Sequence, residues 1–259
     1  MRKYLCLFFL LLSAAGCSGE QKKVDPPRIC SLSSAAVCLL GRLAVTPAAV
    51  DEYSRPFAPA GTPVVGKGSA VSAERLLELK INTIIVWEYQ RAAVGHLRCY
   101  GIKTVSVAPL RLAALPEFIR ELGDLTGKTR EAQQLAAEFS RKLASLSVPA
   151  PQRRVYLELY SRNRGAGRNS YAGDLIAAAG GKNILERTSL TGTDEIIRQD
   201  PEIIFYVEHC GSAEEIMKRP GMSNVSAVKN KKIFPVPRKF LVEGAFQIEA
   251  VEYLKKRIS

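Results

Sequence analysis

The sequence predicts an α/β protein: two α/β lobes with mostly parallel sheets, joined by one long rigid helix, with a cleft between the lobes. Three observations predict it. Short apolar runs of strand length alternate with amphipathic helical stretches, the pattern of parallel strands linked by crossover helices. One helix–strand unit occurs twice: at an offset of 120 residues Glu74 falls on Asp194, Leu76 and Leu77 on Ile196 and Ile197, residues 83–86 on 203–206, and Glu88 on Glu208. Between the copies, apolar residues at 132, 135, 136, 139 and 143 keep helical spacing, and Pro149 and Pro151 end the run.

Taken in order, residues 28–31 read as a strand leaving the stop made by Pro26 and Pro27. Ser33 or Ser34 caps the apolar helix 35–43. A loop rich in Pro and Gly runs over 46–68, and Ser72 opens the first copy of the repeat, whose strand is 83–87. A helix near 92–100 and a strand at 103–107 complete lobe one, about 28–112. A bridging helical segment occupies about 113–147, interrupted only around Gly123 to Lys128. Lobe two, about 152–259, contains strand 154–160, helix 171–179 ended at Gly180, the second repeat copy, helix 213–218, strand 232–236 and helix 247–257.

Residues 1–16 stand apart. Arg2 and Lys3 precede an apolar run at 5–12, followed by Ser13, Ala14, Ala15, Gly16 and Cys17. The run is shorter than the roughly 18 residues a membrane span needs, so it reads as a secretory signal. Residues 17–27 are too polar to fold and read as a tether. The formal charge of +12 falls by two when the signal leaves; export excludes nucleic acid as the reason for this basicity and points to an anionic surface or ligand. Cys30, Cys38, Cys99 and Cys210 match no zinc spacing and only two histidines are present, so no metal site is expected. Buried free thiols are the simpler reading of these cysteines, with a Cys30–Cys38 pair left open.

Several segments resemble one family in order along 28–258: residues 28–33, Ser72 to Lys80, Gly101 to Val105, Leu122 to Lys128, Asp174 to Asn183, and Ala227 to Pro237. They are similar to the iron-siderophore and cobalamin class of ABC-transporter substrate-binding proteins, and residues 14–17 resemble a lipoprotein signal, with Ala14 where Leu is commoner. The resemblance implies a non-enzymatic receptor without a cofactor, anchored to the membrane through acylated Cys17 on the periplasmic side. It implies a monomer that hands a metal chelate or corrinoid to a permease dimer driven by its ATPase partner. It also implies one surface acid per lobe docking on the permease: Glu74 in the first, and Asp194 or its neighbour Glu195 in the second.

In parallel sheets ligands bind beyond the carboxyl ends of the strands. That rule selects Trp87, Glu88 and Tyr89 in lobe one, Tyr160, Arg162, Arg164, Arg168 and Glu208 in lobe two, and the loop carrying Tyr53. Aromatic faces suit flat macrocycles, and Tyr53 and Trp87 match aromatics of the cobalamin-binding members, although Gly68 and Thr188 stand where those members carry others. Three arginines within seven residues suit a carboxylate-bearing chelate. His209 is read as structural. Two other readings stay open: a redox or metallocluster enzyme on a related two-lobed fold, and an exported lipoprotein with no transport role. No nucleophile–base pair or phosphate loop supports the first.

Overall fold

In the computed structural model, residues 26–146, 153–244 and 246–259 are described. The signal, Cys17 and nearly all of the tether lie outside them. Lobe one runs β1 (Ile29–Ser31), α1 (Ser34–Arg42), β2 (Ala49–Val50), the hairpin β3 (Gly66–Lys67) and β4 (Ala70–Val71), α2 (Ala73–Glu78), β5 (Thr83–Trp87) and β6 (Lys103–Val107). Its main sheet has the order β2-β1-β5-β6 with every pair parallel. The chain continues through α3 (Leu115–Thr126) and α4 (Thr129–Leu146).

Lobe two comprises β7 (Arg153–Glu158), β8 (Arg164–Gly165), α5 (Tyr171–Ala178), β9 (Gly181–Asn183), β10 (Ser189–Leu190), α6 (Thr193–Gln199), β11 (Ile203–Val207), α7 (Ala213–Met217), α8 (Ser226–Lys229), β12 (Ile233–Val236) and α9 (Gln247–Ile258). Its sheet order is β10-β8-β7-β11-β12, with β9 also on β7. The strands β7, β9, β11 and β12 are parallel; the short β8 runs against β7, and β10 pairs antiparallel with β8.

The repeat is structural. The units α2–β5 and α6–β11 begin and end at positions 120 residues apart, and both strands lie inside their sheets. Leu76 and Ile196 are the fully buried residues of their helices, and each helix is followed by a residue with positive φ, Lys80 and Asp200. Local chemistry starts the helices: Ser33, Ser72, Ser170 and Ser212 each accept a hydrogen bond from the backbone N–H three residues on, satisfying a donor the helix leaves unpaired. Residues 92–100 are looser than the sequence suggests, with a 3-10 turn over Gly95–Tyr100.

The bridging segment is two helices. Gly127 takes a left-handed conformation (φ 71°) and ends α3, and α4 then packs on α3 so closely that a Cβ at Gly123 would lie 2.2 Å from that of Ala132. The long connection is therefore α4 alone, about 27 Å of helix. One apolar cluster runs through α1, α3, α4, α5 and α9 and joins the inner faces of both lobes, while separate clusters fill the outer face of each. Gly244 (φ 104°) carries the lobe-two chain onto α1, where a Cβ would meet Leu39 at 2.8 Å. Across the same boundary the Asp174 carboxylate pairs with Arg111 and accepts the Leu112 N–H at 2.9 Å. Opening the lobes would expose this shared core, so the fold resists hinge motion. No helix among the described residues is long and apolar enough to cross a membrane.

Candidate ligand cleft

The carboxyl ends of β1, β2 and β5 from one sheet, and of β7 and β12 from the other, border a cleft of about 430 Å³. Lobe one contributes Asp51, Tyr53, Trp87, Tyr89 and Gln90; lobe two contributes Tyr160, Arg238 and Glu243.

The lobe-one wall is held by polar groups that are themselves buried. Asp51, 1% exposed, accepts the N–H of Ser54 at 2.9 Å and that of Gly68 at 3.1 Å. One carboxylate thus ties the loop carrying Tyr53 to the β3–β4 hairpin. Gly68 (φ 58°) lies beneath the Tyr53 ring, with Lys67 Nζ 5.5 Å from the ring centroid. After β5, the buried Gln90 side chain accepts the Trp87 N–H at 3.0 Å and fixes the turn that presents Trp87 and Tyr89. Their rings are parallel to within 8°, with centroids 6.4 Å apart.

In the lobe-two wall the Arg238 guanidinium stands 5.6 Å from the Tyr160 ring centroid, within range of a cation–π contact. Glu243 sits partly buried between the lobes; desolvation pushes its carboxyl up to about 7. Tyr89 and Tyr160 are both held above the ordinary phenol range, first by desolvation and then by the Glu243 carboxylate. Both hydroxyls therefore remain protonated donors at neutral pH. The cleft offers flat aromatic faces from both lobes, phenol donors, the Arg238 guanidinium at its rim and an acid at the lobe junction.

Of the residues selected from sequence, Tyr53, Trp87, Tyr89 and Tyr160 meet here. The arginine loop does not. Arg162 turns to Glu215 at 3.5 Å, Arg168 pairs with Glu186 at 2.6 Å, and Arg164 is exposed on β8. Each of the two paired guanidiniums finds a carboxylate on lobe two itself, so no anionic cargo is needed to relieve their repulsion. Nor do the repeated acids line the cleft: Glu88 reaches Arg91 at 3.5 Å, and Glu208 accepts the Arg238 N–H at 3.3 Å from behind. Thr188 accepts the Gly167 N–H at 3.1 Å and has a structural role. The sequence does not single out Asp51, Arg238 or Glu243. Applying the strand-end rule to residues 233–236, as to the other strands, finds Arg238; nothing local marks Glu243.

Glu74 and Asp194 are both exposed in the first turns of α2 and α6. Glu195 is engaged within α6 by Gln199 Nε2 at 2.9 Å and by Arg198, which hold its carboxyl below the ordinary carboxylate range. Asp194 bonds to no side chain among the described residues and is the matching free acid of the second lobe. The four cysteines of lobes one and two are free, and Cys30 alone of them is fully buried. Among the described residues no group of His, Cys, Asp and Glu is placed to hold a metal ion.

Residues 29–239 match the family model described as periplasmic binding protein. The chain belongs to that family. This is the family its motifs resemble, and membership implies an exported protein on the periplasmic side. No curated protein matches the sequence. Solved structures with the same fold include the periplasmic heme-binding protein RhuT from Roseiflexus sp. RS-1, at 21% identity and a TM-score of 0.79, covering 90% of this chain and 98% of that one. The periplasmic heme-binding protein HutB of Vibrio cholerae aligns at 22% identity and 0.79, covering 89% and 98%. The vitamin B12 binding protein BtuF of Vibrio cholerae aligns at 22% and 0.76, covering 90% and 96%. This periplasmic binding protein therefore has the two-lobed fold over nearly the whole length of its relatives.

Proposed function

We propose that this periplasmic binding protein is the receptor of an ABC importer that captures a metal chelate or corrinoid and delivers it to the permease without chemical change. The observation that carries the reading is the aromatic cleft at the carboxyl ends of both sheets, with Tyr53, Trp87 and Tyr89 facing Tyr160 and Arg238. Aromatic faces supply apolar area to a planar macrocycle, and phenol and guanidinium groups orient its polar edge. The similarity in fold to haem- and B12-binding proteins supports the same class. Within it, haem or a ferric siderophore fits better than a corrinoid, because Gly68 leaves the lobe-one wall bare beside Tyr53 and Thr188 is committed to the backbone.

In this reading acylated Cys17 anchors a monomer to the membrane, residues 17–27 act as its tether, and 28–259 form the receptor. Glu74 and Asp194, at equivalent points of the repeated unit, dock on basic residues of the two permease subunits, whose ATPase partner supplies the energy. The test joins the two roles. Purified mature protein is expected to bind hemin, a ferric siderophore or cyanocobalamin by absorbance or fluorescence quenching. Glu74→Ala with Asp194→Ala should abolish uptake in the host while leaving that affinity unchanged. A wild-type protein that binds none of the three overturns the reading; loss of binding in the double variant overturns the docking role.

A further inference from the structure

Behind the cleft, on the far side of β7, lies a buried ionic cluster that the receptor reading does not use. Glu158 is the last residue of β7 and its side chain is 3% exposed; Arg219, after α7, is 1% exposed. The guanidinium binds both carboxylate oxygens, Nη1 to Oε2 and Nη2 to Oε1, each at 2.6 Å. Two other bonds reach the same turn: Arg219 Nη1 donates to Asn163 Oδ1 at 2.9 Å, and the Asn163 N–H donates to Glu158 Oε2 at 3.0 Å. Asn163 holds the left-handed conformation, φ 60°, which asparagine adopts more readily than most residues, and these bonds fix it there. Glu215 closes the cluster from α7, its Oε1 accepting Arg219 Nε at 3.1 Å and pairing with Arg162. Two arginines thus face two carboxylates.

Residues 158 and 163 are the two ends of one turn, and Tyr160 stands within it. We propose that Arg219 is a positioning residue of the cleft: through Glu158 and Asn163 it clamps both ends of the turn that presents Tyr160 to the cargo. A planar fork with five donors can span a carboxylate and an amide oxygen at once, which an ammonium cannot do with fixed geometry. Burial removes competing water, so the clamp is stiff where an exposed pair would fray. The inference rests on the receptor reading for its consequence in binding, but the ordering of the turn is a property of the free protein.

Removing Arg219 alone would strand a buried carboxylate and risk the fold. The informative variant replaces both partners by apolar volume, Glu158→Leu with Arg219→Met, in the full mature chain. Hydrogen exchange of the amides of Leu159, Asn163 and Arg164 should accelerate about tenfold or more while those of β11 stay protected. Hemin affinity should fall about tenfold in the wild-type background and should not fall further in Tyr160→Ala, because the clamp acts only through that ring. Unchanged exchange in the turn overturns the proposal, as does an undiminished loss of hemin affinity in the Tyr160→Ala background. If the wild-type protein does not bind hemin, the haem reading fails by itself, and the exchange experiment still decides the role of Arg219.

Discussion

Glu243→Gln should make the protein more stable at alkaline pH and leave it almost unchanged in mild acid. The carboxyl is raised from 4.5 to about 7 by desolvation at the lobe junction. An acid whose folded value is raised binds its proton more tightly in the folded state than in the unfolded chain. Its burden on stability is therefore absent below the unfolded value, grows as pH rises, and is complete above about 7. At 1.36 kcal/mol per pH unit the full burden is about 3 kcal/mol, an upper bound because the side chain keeps some contact with water. A glutamine is the neutral isostere and carries no such burden. For a domain of this size the gain at pH 8 corresponds to about 6–12 °C in Tm, and at pH 5 to no more than about 3 °C. The assay is thermal unfolding of both proteins by circular dichroism between pH 5 and 8, reading the difference between them so that other titrating groups cancel. Parallel pH profiles for the two proteins would refute the reasoning, because they would mean that Glu243 is ordinarily solvated.

Two further outcomes follow from the packing between elements. Asp174→Ala removes the acceptor of the Leu112 N–H and the partner of Arg111 at the lobe boundary, and should cost about 1–3 kcal/mol in denaturant unfolding, with Asp174→Asn in between. Gly123→Ala places a Cβ 2.2 Å from that of Ala132 and should cost about 1–3 kcal/mol, most of it recovered by adding Ala132→Gly.

Much of the fold is legible in the sequence because its determinants are local or periodic. The offset of 120 residues locates α2–β5 and α6–β11, since burial of Leu76 and Ile196 on the same helix face demands the same pattern in each. Serine caps, proline stops and helical spacing place the longer remaining elements within a residue or two. The two- and three-residue strands β2, β3, β4, β8, β9 and β10 and the one-turn α8 carry no such signal, and 46–68, expected as a loop, holds β2 and β3. The exceptions are physical. The segment from 113 to 147 is interrupted around Gly123 to Lys128, but nothing local says how its two parts lie; the close approach of Gly123 to Ala132 shows that α3 and α4 fold against one another. The site was half legible: Trp87 and Tyr160 follow directly from strand ends, but Arg238 follows only when the rule is carried to β12, and Glu243 lies beyond any strand-end window.

The sequence by itself determined that two like α/β halves exist, which strand ends open toward their junction, and that an acid occupies the same first-turn position of the repeated helix in each. The tertiary structure alone decided which side chains at those strand ends face the cleft. A loop side chain turns toward its strongest partner, and here those partners are remote in sequence. Glu215 draws Arg162 away and Arg219 holds the turn of Tyr160 from 61 residues beyond Glu158. Asp51 pins Gly68 across 17 residues. Periodicity records burial along one element, whereas these directions are set by charges and hydrogen bonds brought together only when the sheets are packed.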